Sequence, residues 1–221
     1  VTEVTTLNPE TGEMREPEYY NYANEGSYVI RGIEGYELHT IDGEEGLEAF
    51  HAVGCFDEAN GQYWDFDLPY ALYVPEDYDP SQKYALVLHI HDAGYMGTDP
   101  MITLTEAQGP ANFASDEVQQ MAKDQGLGGI IVVAPSIAED YYMDEDHPAY
   151  NLRSTRDNWT LSAAVPATWQ LMDYITETYS IDMDRIYGSG QSMGGMQVLA
   201  MAAQRDNYFA GILPMSCKWG T

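Results

Sequence analysis

Four short stretches of the chain are apolar almost throughout: "YALVLHIHDAG", "GGIIVVAPS", "DRIYGSGQS" and "FAGILPMSC". They lack the alternation of a strand with one wet face. Strands covered by helices on both faces have this pattern, so the four predict a parallel sheet. Between them the period changes to that of a helix. "NFASDEVQQMAKDQG" carries Phe113, Val118 and Met121 on one face and stops at Gly126. Leu161, Ala164, Val165, Thr168, Met172, Ile175 and Tyr179 form a second stripe, in which Pro166 is tolerable only near the first turn. Met196, Leu199, Ala200 and Ala203 form a third.

Upstream, residues 47–74 predict a hairpin, with arms "LEAFHAVGCF" and "QYWDFDLPYALYV" and Asn60-Gly61 in the turn. "PEDYDPSQK" breaks the pattern after it. A hairpin followed by alternating strands and helices is an α/β arrangement, an open, doubly wound, mostly parallel sheet. Residues 1–45 are polar, acidic and rich in turn formers, with "SYVIRGI" and "YELHTI" alternating like edge strands. They read as an N-terminal β extension, set apart from 46–221.

Charge narrows the reading more than size does. Thirty-six acidic residues stand against nine basic ones, a net charge of −27. Such a surface repels nucleic acid phosphates and anionic membranes. It suits a secreted, extracytoplasmic or salt-adapted protein. The hydrophobic share of 44% and the 18 tyrosines support a packed core rather than disorder. No apolar run is long enough for a membrane-spanning helix. Cys55 and Cys217 read as two buried thiols or as one disulfide, and their spacing suggests no zinc site; no metal or cofactor is expected.

The third apolar run ends in Gly190-Gln191-Ser192-Met193-Gly194, a G-x-S-x-G pattern between a predicted strand and a predicted helix. That context presents a serine as a nucleophile. The serine sits on a tight turn, where side chains two positions away on either side would strike the neighbouring strand and helix. Gly190 and Gly194 remove them, and Gly195 extends the close packing. The N–H of Met193 then points where an oxyanion would form. A structural Gly-Ser turn is the bland alternative. The first run ends in "HIHDAG", a second glycine loop placed to supply another N–H.

On these residues a resemblance can be stated. "LPYALYVPEDYDPSQKYALVLHIHDAGYMG", "GGIIVVAPS" and "YSIDMDRIYGSGQSMGGMQVLAMAAQRDNYFAGILPMSC" resemble the α/β-hydrolase esterases related to feruloyl esterases and polyhydroxybutyrate depolymerases. The likeness runs from about Leu68 to Cys217. It implies that Ser192 is the nucleophile and that the N–H groups of Met193 and Ala93 form the oxyanion hole. Where that family has His-Gly, this chain has His91-Asp92, so Gly94 stands as the alternative donor to Ala93. The substrate implied is a small-molecule or polysaccharide-linked acyl ester of feruloyl or acetyl type. Tyr95 and Trp159 are candidates for touching it, and Arg153 and Arg156 for holding a carboxylate.

A serine needs a base, and in this fold the triad runs Ser, Asp or Glu, His along the chain. After Ser192 the sequence has one acid, Asp206, and no histidine. His39 and His51 read as surface or hairpin residues, His89 as core, His91 as support for the glycine loop, and His147 as part of a solvated acidic loop. The expectation is therefore an α/β-hydrolase sheet incomplete at its C-terminus, whose acid and base lie beyond Thr221. A prolyl-oligopeptidase-type peptidase shares the fold and the turn, but that group commonly has an aromatic residue where this chain has Met193. A non-catalytic protein on a hydrolase scaffold is the third reading.

Overall fold

The computed structural model describes residues 2–4, 18–20, 35–43, 46–58, 61–105, 109–137 and 163–217. The chain divides into two compact units, residues 1–30 and 31–221. In the first, β1 (Thr2–Val4) and β2 (Glu18–Tyr20) pair antiparallel.

The second unit is built on a six-stranded sheet. Its strands are β3 (Tyr36–His39), β6 (Tyr70–Tyr73), β7 (Tyr84–Ile90), β8 (Ile130–Pro135), β9 (Ile181–Gln191) and β10 (Gly211–Met215), in the spatial order β10-β9-β7-β8-β6-β3. The four strands β10, β9, β7 and β8 are parallel, and β6 and β3 continue the sheet antiparallel. The mixed α/β architecture with a mostly parallel sheet is the one expected. The edge strand β3 lies within the segment 1–45 that the sequence sets apart. "SYVIRGI", Asn60, Leu161, His147, Arg153, Arg156 and Trp159 fall outside the described residues.

The apolar runs of β7 and β8 are explained by burial. All seven residues of β7 are buried. Tyr84, Leu86, Leu88 and Ile90 pack in one large cluster with Leu171, Met172 and Ile175. A smaller cluster holds Ala71, Leu104 and Ala134. Strand β6 divides between the two, with Leu72 in the first and Ala71 in the second, so both faces of the sheet are covered. Strands without a wet face have no reason to alternate.

The helices are α1 (Met101–Thr105), α2 (Gly109–Phe113), α3 (Asp116–Asp124), α4 (Ala164–Thr178) and α5 (Met193–Gln204). On α4 the expected stripe is buried at Ala164, Val165, Thr168, Met172 and Ile175, and Pro166 does stand in the first turn. The stretch read as one helix over "NFASDEVQQMAKDQG" is two, separated at Ala114-Ser115. On α3 the buried residues are Gln119 and Ala122, whereas Met121 is exposed. The Gln119 amide explains the exchange. It donates to Phe113 O (2.9 Å) and Ile130 O (3.1 Å) and accepts from Ile130 N (2.9 Å), pairing backbone groups at the start of β8.

The hairpin exists, but its second arm is shorter than expected. Strands β4 (Phe50–Asp57) and β5 (Gln62–Leu68) form a separate antiparallel pair. Pro69 has no N–H to give a ladder, and after it the chain enters β6 and the main sheet. Strand β4 packs on α4, where the Gln170 side chain bonds both the N–H and the C=O of Val53 at a bulge (3.0 and 2.7 Å). Cys55 and Cys217 are both free thiols.

The order of the strands creates a crevice. From β7 the chain goes to β8 on one side and then crosses to β9 on the other. The loops leaving β7 and β9 therefore part at the carboxyl ends of adjacent strands, the place where open α/β sheets bind their ligands.

Candidate active site

At the end of β9 the chain reverses into α5 through a single residue, Ser192, with φ 49° and ψ −110°. Positive φ is a strained conformation for a residue with a side chain and clusters at functional sites. The turn is locked from several directions. Ser192 N–H donates to Met215 O on β10 at 2.8 Å, and Ser192 O accepts from Met196 N–H at 3.1 Å. A Cβ at Gly190 would collide with the Gly194 carbonyl group, and one at Gly194 with the carbonyls of Ile90 and His91. Only residues without side chains let the start of α5 lie against the end of β7. That contact brings the turn at Ser192 next to the loop that leaves β7.

That loop opens with Asp92 and makes one 3-10 turn, Ala93–Tyr95. Asp92 is its N-cap: a side-chain oxygen accepts from Gly94 N–H, and its carbonyl accepts from Tyr95 N–H at 3.2 Å. Ala93 and Met193 hold the first positions of their helical turns, where an N–H has no acceptor within the turn. Neither N–H is therefore taken up inside its own turn. Gly94, the alternative donor, is engaged by Asp92. Tyr95 is half-buried on the same turn.

His91 anchors the loop and is fully buried. Its Nδ1 bonds Asp92 O at 2.8 Å, and its Nε2 accepts from Ile137 N–H at 2.9 Å. Those partners fix the tautomer, with the proton on Nδ1 and the lone pair of Nε2 in use. Burial pulls its pKa down to about 4, despite the nearby Asp92 carbonyl and charge. Behind it, His89 Nδ1 bonds Ser189 Oγ at 3.2 Å, joining β7 to β9, and burial pulls its pKa down to about 4 as well. Ser136 Oγ donates to Gly97 O (2.8 Å) and Gly97 N–H to Ile137 O (3.2 Å), which ties the far end of the loop to the end of β8.

The closeness of Gly194 to the Ile90 and His91 carbonyls, and of Gln191 to Asp92, sets the turn that carries Ser192 and Met193 next to the loop that carries Ala93, Gly94 and Tyr95. Trp159 lies outside the described residues. Sequence reasoning missed the roles of Asp92 and Gln191, whose side chains meet at 3.4 Å (Gln191 Nε2 to Asp92 Oδ2). The signal was present, since Asp before a short turn is a strong N-cap residue.

Chemically, the site can hold a serine hydroxyl beside two N–H donors. Among the described residues no imidazole hydrogen-bonds Ser192 Oγ. Asp206 is exposed just past the far end of α5, whose 12 residues span about 18 Å. Among the described residues no three His, Cys, Asp or Glu side chains gather so as to hold a metal ion.

The sequence model of the Esterase family matches residues 62–221. A solved thermostable esterase is 26% identical with a TM-score of 0.54, over 75% of this chain and 40% of that one. A ferulic acid esterase from Anaeromyces mucronatus is 19% identical (TM-score 0.48) over 71% of this chain and 55% of its own. The S-formylglutathione hydrolase of Staphylococcus aureus is 13% identical (TM-score 0.48) over 83% of this chain and 57% of its own. No curated protein matches. The chain spans about half the length of these solved structures.

Proposed function

The chain belongs to the Esterase family of α/β-hydrolase type, and we propose that it carries the nucleophile half of a serine hydrolase that cleaves carboxylic esters. One observation carries the reading: Ser192 stands in a strained, glycine-enclosed strand-to-helix turn packed against a second loop with a spare N–H.

In this reaction Ser192 Oγ attacks the ester carbonyl carbon. The carbonyl oxygen becomes an oxyanion between the N–H groups of Met193 and Ala93, donors already fixed by the backbone. Collapse of the tetrahedral intermediate expels the alcohol and leaves an acyl-serine, which water then hydrolyses. Tyr95 flanks the acyl group.

The proton of Ser192 needs an acceptor. His91 uses its ring nitrogens on the backbone of Asp92 and of Ile137, and His89 is a neutral group buried against Ser189. His51 faces Asp67 on the hairpin. His39 lies on β3, four strand spacings or about 19 Å from β9. The imidazole and the carboxylate that orients it therefore come from outside the described residues. Triad order along the resembled family supports a carboxylate and then an imidazole that follow Ser192 in chain order. The same resemblance supports feruloyl- or acetyl-type esters as substrates. The acidity supports a secreted or extracytoplasmic setting.

The test compares p-nitrophenyl acetate and methyl ferulate hydrolysis by this chain, by its longer form and by Ser192→Ala. The expected result is turnover by the longer form, a loss of at least about a thousandfold in Ser192→Ala, and little activity from residues 1–221. An active Ser192→Ala variant would overturn the nucleophile assignment. Full activity in residues 1–221 would overturn the placement of the base.

A further inference from the structure

We propose that Asp92 is a positioning residue: its carboxylate holds the turn after β7 in the one arrangement that leaves Ala93 N–H open, and ties that turn to the residue before Ser192. The catalytic consequence rests on the esterase reading above; the geometry does not.

The turn has three N–H groups. Asp92 takes two of them, Gly94 through its side chain and Tyr95 through its carbonyl, and Ala93 is left. A residue without a side-chain acceptor at position 92 would leave Gly94 N–H unbonded as well. Within the turn the 3.2 Å bond from Tyr95 to Asp92 O would remain, but Ala93 and Gly94 would then offer two amides in place of one. The second carboxylate oxygen reaches across to Gln191 Nε2 at 3.4 Å. His91, Ser136 and Gly97 fasten the same loop, but on the β8 side. The contact with Gln191 lies on the β9 side, where the nucleophile is. Gly94 fits the arrangement closely, because a Cβ there would also stand 3.0 Å from Asp92 Oδ1. Asp92 thus sets the spacing of the two oxyanion donors without touching substrate. A side-chain cap contributes about 1 kcal/mol, so its loss should loosen the Gly94 amide by about five- to tenfold.

Two readouts separate the geometry from the chemistry. The first is amide hydrogen exchange at Gly94, followed by NMR in this chain and in Asp92→Ala, Asp92→Asn and Gln191→Ala. Gly94 should exchange about five- to tenfold faster in Asp92→Ala and within about twofold of the parent in Asp92→Asn, which keeps an acceptor. Unchanged exchange in Asp92→Ala overturns the clamp whatever hydrolysis shows. Should Asp92→Ala fail to fold, Gln191→Ala decides, since a genuine tie predicts faster exchange there too. The second readout is p-nitrophenyl acetate hydrolysis by whichever form turns over ester in the test of the esterase reading. Asp92→Ala should lower kcat about tenfold with KM within about twofold, and Asp92→Asn should recover most of the loss. Faster exchange with unaltered kcat overturns the positioning role. Faster exchange with no hydrolysis by any form, the parent included, sinks the esterase reading and leaves the clamp standing.

Discussion

Ser192 shows what a single residue is asked to bear. A non-glycine residue held at φ 49° costs on the order of 1–3 kcal/mol, which the surrounding packing must absorb. Ser192→Gly should therefore raise the urea midpoint, by about 1 kcal/mol of stability, while removing the hydroxyl. Ser192→Ala keeps the strain and should stay within about 0.5 kcal/mol of the parent. A glycine variant no more stable than the alanine one would show that the turn is relaxed. Gly194→Ala works in the opposite direction. Its methyl group meets two backbone carbonyls that cannot swing away, so a loss of more than about 4 kcal/mol, or no soluble protein, is expected. The buried imidazoles impose a pH dependence. His89 and His91 stay neutral in the folded chain down to about 4, against an ordinary value of 6.5. As the pH falls through 6.5 the unfolded chain takes up protons that the folded chain refuses. Stability is then lost progressively from about pH 6.5 to about pH 4. Urea midpoints at pH 7.5, 6 and 5 should fall in that order, and a flat profile would show that the two rings are protonated in place.

At the scale of elements, hydrophobic pattern found what is buried on both faces and missed what is held by side-chain amides. The apolar runs became β7, β8, β9 and β10; β7 and β8 are covered on both faces, whereas β10 has no buried residue and exposes Leu213. The stripe of α4 was equally legible. On α3 the same reasoning chose Met121 over Gln119, since no hydropathy pattern reports that a polar side chain will meet three backbone groups. Replacing Gln119 by Leu makes α3 more apolar, yet it should destabilise the fold by about 1–3 kcal/mol by orphaning Ile130 N–H, measurable as a lower urea midpoint. Gln170, bonded to the bulge at Val53, escaped notice for the same reason. Pro69 could have been read as the end of β5, because a strand cannot keep its ladder through a residue without an N–H. Within the site, the glycine-flanked turn at Ser192 was legible from its G-x-S-x-G spacing together with its place between a predicted strand and a predicted helix. Asp92 was not, because it was weighed as a missing glycine rather than as a cap.

Over the whole molecule, charge and connectivity are the dominant facts. With a net charge of −27, self-repulsion opposes compaction. Two of the few cations, Lys123 and Arg205, are paired with Asp77 and Asp173. Shortening the Debye length from about 30 Å at 0.01 M salt to about 3 Å at 1 M should raise Tm steadily. A Tm that fell with sodium chloride would assign more weight to those pairs than to the repulsion. Connectivity acts earlier in the life of the chain. Strand β7 lies in the middle of the sheet, and both strands that flank it come later in the sequence. His89 waits for Ser189, 100 residues downstream. At about 5–20 residues per second, a ribosome leaves the nascent β7 without that neighbour for roughly 5–20 s. During this interval its seven apolar residues are a template for any other extended chain nearby. The site at the end of β7 therefore cannot form until β9 and the turn at Ser192 have been made.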